Sequence, residues 1–251
     1  MQLLGKHTAR FAALFLFAAL LPAVWGCDHK CATSPGSGSN PNPGPAGAGP
    51  ALASASSFEI LASSTVTANA GTTVFGDVGV STAGGLIVGL PVGQPTGGTR
   101  HAGDAIAAQA QNDVTPAYND LAGRACNVTL TGVDLGGRTL TGGVYCFATS
   151  AQLTGILTLD GQGNSDAVFV FKIGSTLTTA SGASVVVTNG AQAKNVYWQV
   201  GSSATLGTNT VFQGNILAQA SITLNTGTTI SGRALARTAA VTMDANAATL
   251  P

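Results

Sequence analysis

The groups that could do acid–base, nucleophilic or metal chemistry in this 251-residue chain are few and scattered. Glu59 is the only glutamate, and His101 is the only histidine beyond residue 50. Asp77, Asp104, Asp113, Asp120, Asp134, Asp160, Asp166 and Asp244 are dispersed, mostly beside Gly or Asn, where aspartate shapes turns. Cleavage of a polysaccharide needs paired acids, or acids gathered on a metal, and no such grouping is spaced along this chain. Arg100-His101 reads as a cap or surface pair ahead of a helix rather than a catalytic couple. Asp160-Gly161-Gln162-Gly163-Asn164 reads as a loop, with a calcium site as the lesser alternative. No nucleophile–base arrangement and no phosphate-cradling loop is present, so neither catalysis nor a cofactor is expected.

What recurs instead is threonine, which can order water but performs no reaction of its own. Ser175-Thr176-Leu177-Thr178-Thr179-Ala180 is echoed by Ala204-Thr205-Leu206-Gly207-Thr208, then by Ile222-Thr223-Leu224-Asn225-Thr226 and by Val241-Thr242-Met243-Asp244-Ala245. Leu206, Leu224 and Met243 are spaced by about 18 residues, which divides into three sides of about six, the size of a triangular β-helix coil. Small-apolar, Thr, large-apolar alternation puts the apolar residues inward and threonine outward. The echoes align Thr176, Thr205, Thr223 and Thr242 as one column, with Thr179, Thr208 and Thr226 as its neighbour. Ser64-Thr65-Val66-Thr67 matches the echo from far away, so the N-terminal coil is expected to join the stack out of sequence order.

The other sides follow from the remaining repeats. Ser184 to Asn189, Asn209 to Gly214 and Thr228 to Gly232 form a second set. A third begins with Val168-Phe169-Val170-Phe171-Lys172-Ile173 and Asn195-Val196-Tyr197-Trp198-Gln199-Val200. The latter two strands are apolar on both faces and need cover on both. Ile106, Ala110, Val114, Ala117, Tyr118 and Leu121 recur at helical spacing between Gly103 and Ala125, which provides that cover. Asp104 is placed to cap this helix, and Thr115-Pro116 predicts a break or kink. Asn127-Val128-Thr129 reads as a strand start rather than a glycosylation acceptor.

Composition bounds the setting. Charged residues are 8%, Gly numbers 34 and the formal net charge is zero. That is far from the basic footprint of a nucleic-acid binder. Lys6, His7 and Arg10 precede an apolar stretch from Phe11 to Trp25, too short for a comfortable membrane span, so residues 1–26 read as an export signal. Val24-Trp25-Gly26-Cys27 resembles a bacterial lipobox, which makes Cys27 a lipidation site; the alternative is an ordinary secreted chain. Residues 27–50 read as a Gly/Pro/Ser-rich linker, with one domain over 51–251. In an oxidising compartment Cys126 and Cys146 are expected to pair, because no CxxC pair or His cluster accompanies them.

Some strings also point to a family. Phe58-Glu59-Ile60-Leu61-Ala62, Gly76-Asp77-Val78-Gly79, Leu135-Gly136-Gly137, Gly143-Val144-Tyr145, Gly155-Ile156-Leu157-Thr158-Leu159-Asp160, Asn195-Val196-Tyr197-Trp198 and Gly232-Arg233-Ala234-Leu235-Ala236 occur in this order. Over residues 56–251 the chain resembles the ice-binding (antifreeze) proteins of bacteria, fungi and diatoms. The resemblance implies a right-handed, three-sided, discontinuous β-helix flanked by one long α-helix, with one flat side that adsorbs to ice and slows its growth and recrystallisation. Some members carry a Thr-Ala/Gly-x-Thr/Asn signature on that side. Thr226-Gly227-Thr228-Thr229 fits it fully, while Thr67-Ala68-Asn69-Ala70, Thr179-Ala180-Ser181-Gly182 and Thr208-Asn209-Thr210-Val211 fit it in part. By this resemblance the expected ice-contacting residues are Thr67, Thr179, Ser181, Thr208, Thr210, Thr226, Thr228 and Thr229. The expected partner is an ice crystal surface, met by a monomer, with a membrane reached only through a lipid on Cys27. An adhesive or structural surface β-solenoid without ice affinity is the alternative.

Overall fold

In the computed structural model, which describes residues 45–251, short parallel strands wind into a three-sided β-helix with one α-helix along one side. The expected export signal (residues 1–26), Cys27 and Cys31 lie outside the described residues. One coil illustrates the rest. Val196–Val200 lies on the helix-covered side and Ala204–Leu206 on a second side. Val211–Ala218 begins on a third side and turns a corner into the next coil's helix-covered side. The corner needs glycine. Gly214 has φ +110°, and a Cβ on Gly232 in the next coil would come 1.8 Å from Gly214 O.

The second side is a seven-stranded sheet. Its order is Ala151–Leu153, Leu177–Thr179, Ala204–Leu206, Ile222–Leu224, Val241–Met243, Thr65–Thr67, Leu86–Val88. The first coil therefore stacks on the last: Ile60 pairs with Ala234, Val66 with Val241 and Ala248 with Val74. This is the out-of-order stacking expected from Ser64-Thr65-Val66-Thr67.

Two apolar layers hold the coils. The inner one runs down the prism and contains an aromatic file, Tyr145–Phe171–Trp198–Phe212, with ring centroids 5.5, 3.9 and 5.0 Å apart. Each such fully buried side chain contributes roughly 1.5–3 kcal/mol. The outer layer lies between the helix-covered side and the helix, where Val144, Val170, Tyr197 and Leu217 meet Ala110, Val114, Tyr118 and Leu121.

The helix is Ala105–Gly123, capped by Asp104, whose carboxylate accepts from Ala107 N at 2.9 Å. Two expectations are corrected here. Ile106 is 55% exposed and Ala107 takes the buried position, which restores the 107/110/114/117–118/121 stripe. The break expected at Thr115-Pro116 is absent, because one helix continues through Pro116. Pro116 is exposed, so its missing N–H leaves the carbonyl of Asn112 facing water while Val114, Ala117 and Tyr118 keep the opposite face buried. Burial outweighs the local cost of proline.

Cys126 and Cys146 form a disulfide that ties the segment after the helix to the strand Gly143–Phe147. Packing also starts before Ala51. Arg124 donates to Ala46 O at 2.8 Å and to Ala48 O at 2.6 Å, so the end of the expected linker lies against the domain.

Candidate functional site

The second side carries the most regular surface. In its strands, register places Gln152, Thr178, Thr205, Thr223, Thr242, Thr67 and Val88 in one outward column. Five consecutive members are threonine. Beside it, two residues back along each strand, run Ser150, Thr176, Ser203, Ser221, Ala240, Thr65 and Leu86. Coils repeat about every 4.7–4.9 Å and residues two apart on a strand are about 6.5 Å apart, so the hydroxyls and methyls form a two-dimensional grid. Beneath it the inward residues Leu177, Ala204, Ile222, Val241 and Val66 are buried in the core. They fix the direction of every threonine between them.

The hydroxyls of the threonine column are free. Among the described residues, no side chain or backbone group bonds the hydroxyl of Thr67, Thr178, Thr205, Thr223 or Thr242. The neighbouring column satisfies part of itself, through Thr176 Oγ1 to Ser150 Oγ at 2.8 Å and Ser203 to Ser221 at 3.0 Å. No strand of this side contains a charged residue. β-branching restricts threonine χ1, so the methyl and hydroxyl positions repeat from coil to coil.

The sequence-expected residues are spread over several surroundings. Thr67 stands in the outward column. Ser181, Thr208 and Thr226 line the corner between the second and third sides, stacked through Gly182 N to Thr208 O and Asn209 N to Thr226 O. Thr229 is exposed on the third side. Thr179, Thr210 and Thr228 are buried inside the corner, and their assignment to an exposed face is corrected. Thr179 Oγ1 shares a hydrogen bond of 2.8 Å with Thr210 Oγ1 and accepts from Gly207 N at 2.8 Å. Thr210 and Thr228 both donate to Gly207 O, at 2.7 and 2.9 Å. These hydroxyls brace the turn from inside, where burial keeps them away from any surface ligand.

The expected Thr176 column is also corrected by one step of the alternation: Thr178, not Thr176, is in register with Thr205. Thr178 was missed because Ser175-Thr176-Leu177 imitates the small–Thr–large pattern, while the inward residue after Thr178 is Thr179. The signal that would have found it is the alignment of Leu177, rather than Thr176, with the inward Ala204.

Charge gathers at the edges. Asp244 sits at the corner, where its carboxylate accepts from the Thr226 hydroxyl and from Asn69 Nδ2 at 3.0 Å, and these bonds hold it below the usual carboxylate range. Elsewhere Glu59 is fully buried and, among the described residues, neither of its oxygens has a hydrogen-bond partner. Burial pushes its pKa up to about 9, against the weaker pull of Arg233. Surface hollows of 430, 540 and 500 Å³ flank the helix-covered side, and one of 280 Å³ borders Ser150 and Gln152. Among the described residues, no three His, Cys, Asp or Glu side chains come together as metal ligands. The third side is less regular. Ile156, Ser184, Val211, Thr229, Ala247 and Thr73 follow one another on it, and Ile156 and Val211 are 56% and 45% exposed.

This architecture has known counterparts. Residues 60–249 match the family model described as "Ice-binding-like". The chain is 58% identical over 193 residues to an "Ice-binding protein" of Nostoc sp. (strain HG1), covering 76% of this chain and 71% of that one. It is 39% identical over 222 residues to "Ice-binding protein 1" of Shewanella frigidimarina, but spans only 25% of that relative's length. Among solved structures, the ice-binding protein of the Antarctic ascomycete Antarctomyces psychrotrophicus superimposes with a TM-score of 0.77 at 41% identity, over 81% of this chain and 98% of that one. On the extent of these matches and on the shared helix-flanked β-helix, the chain belongs to the ice-binding-like family.

Proposed function

We propose that the chain is an ice-binding protein that adsorbs, without catalysis, through the threonine column of the second side. The observation that carries this is the run Thr178, Thr205, Thr223, Thr242, Thr67: five in-register threonines with free hydroxyls on a side without charge. The methyls favour ordered water and the hydroxyls hold it at the coil repeat. A water layer so held merges with a crystal plane of matching spacing. The family's members named for ice binding support the same reading. Of the residues suggested by the signature, Thr67 stays in the contact surface, and Ser181, Thr208 and Thr226 form its rim.

We also infer export, with residues 1–26 as the signal, 27–50 as a linker whose last residues, from Ala46 on, pack against the domain, and 51–251 as the folded domain. Apolar Phe11 to Trp25 and the Cys126–Cys146 disulfide support it, since disulfides persist in oxidising compartments. Cys27 is the proposed lipid attachment point, which intact mass of the membrane-extracted protein tests. The domain acts as a monomer.

Thermal hysteresis and ice-recrystallisation inhibition of the full chain test the function. Slowed ice growth supports it. A folded protein that leaves ice unaffected contradicts it and leaves the adhesive-solenoid alternative.

A further inference from the structure

Residues 45–57 cross the outside of the helix-covered side before the first strand starts at Phe58, and they are held along their length. Arg124 donates Nη1 to Ala46 O and Nη2 to Ala48 O, while Asp120 Oδ2 accepts from the same guanidinium at 2.6 Å. Gly49 approaches so closely that a Cβ there would come 2.3 Å from Tyr197 Oη. Ser54 donates its N–H to Asp113 Oδ2 at 3.0 Å and its hydroxyl to the same oxygen at 2.5 Å. Leu52 and Ala55 are buried in the outer apolar layer.

The position of the strap's first residues has a geometric consequence. Pro45, Ala46 and Gly47 share a 430 Å³ hollow with Gly142, Gly161 and Asn164. Gly142 joins Arg138–Thr141 of the third side to Gly143–Phe147 of the helix-covered side. Gly161 and Asn164 lie between Ile156–Asp160 and Phe169–Ile173, again where the third side turns into the helix-covered one. In a three-sided prism the corner between two sides faces away from the remaining side. The strap therefore begins opposite the second side, the one with the free threonines.

We infer that residues 45–57 are an attachment strap that holds the preceding chain at the corner opposite the threonine surface. Whatever is fixed to the residues before 45, a cell envelope or a solid support, is kept clear of that surface, and Arg124 is the clasp. The benefit rests on the ice-binding reading; the strap itself does not. Simultaneous engagement of tether and target is possible only where geometry permits both.

Two measurements test this. The full chain with a biotin-acceptor peptide inserted after Gly38 is held on streptavidin beads and offered to growing ice. Uptake within about twofold of the free chain is expected where tether and target do not compete. Uptake of the free chain with exclusion of the beads would overturn the inference. If the free chain is itself excluded, the ice-binding reading fails, and the strap is judged by the second measurement. Elastase cleavage after Ala46 and Ala48 in the full chain is expected to be at least about tenfold faster in Arg124→Ala than in the wild type, since local release exposes the backbone. Equal rapid cleavage of both chains would show that no strap exists.

Discussion

Thr178 and Thr179 are neighbours in the chain with opposite surroundings. Thr178 is exposed with a free hydroxyl, while Thr179 is buried against Thr210 and Gly207. Substitution should separate their roles. Thr205→Tyr in the outward column, where Thr205 is half-buried with its side chain facing water, should leave stability within about 0.5 kcal/mol, as surface changes do, and sharply reduce ice adsorption. Thr179→Val keeps the shape but leaves Gly207 N–H without its acceptor. It should cost about 1–3 kcal/mol with adsorption by the folded fraction unchanged, as chemical denaturation and ice uptake would measure. Glu59 gives a pH signature. Its pKa rises from 4.5 to about 9 on folding, so the folded state binds the proton more tightly. Its contribution is most favourable below pH 4.5 and declines as pH climbs towards 9. Asp244, Asp104 and Asp113 have lowered values and act oppositely: their contribution is present above the unfolded carboxylate range and lost in acid. Denaturation midpoints measured from pH 5 to 9 should fall in the wild type and stay flat in Glu59→Gln. A wild type with no slope would contradict the buried, neutral carboxyl.

At the scale of elements, the helix shows what periodicity reveals and what it conceals. Its existence, its Asp104 cap and five of its buried residues are legible in the spacing. Hydrophobicity alone favours Ile106 over Ala107, but helical phase puts residue 107 in line with 110, 114, 118 and 121 and residue 106 at the edge of the stripe, towards solvent. Pro116 concealed the helix's continuity because local preference says nothing of the apolar face that holds it. Pro116→Ala should therefore stabilise the protein by about 2 kcal/mol, the helix-interior cost of proline less its entropic benefit in the unfolded chain. An unchanged or lower melting temperature would contradict this. The disulfide closes a separation of 20 residues. Its removal by Cys126→Ala/Cys146→Ala should cost roughly 3 kcal/mol by the chain-entropy model. Ice adsorption in the cold should be unchanged, because the bond lies on the helix-covered side.

For the whole molecule, the three-sided stack was legible because each coil repeats one inward–outward alternation, and the match of Ser64-Thr65-Val66-Thr67 to distant echoes disclosed even its discontinuity. The exposed surface was less legible. Corners such as Leu224 to Thr228 break the alternation, and there an inward threonine satisfied by backbone looks in sequence like an outward one. Only register across the coils distinguishes them. We propose that the five-threonine column, and not the corner signature, is the ice-contacting surface. The most direct test is uptake of the folded full chain into slowly growing ice, comparing wild type with Thr205→Tyr/Thr223→Tyr and Thr210→Val/Thr228→Val. Strong uptake of the wild type and the buried-corner variant, with exclusion of the tyrosine variant, is the predicted result. Undiminished uptake of the tyrosine variant would contradict the claim.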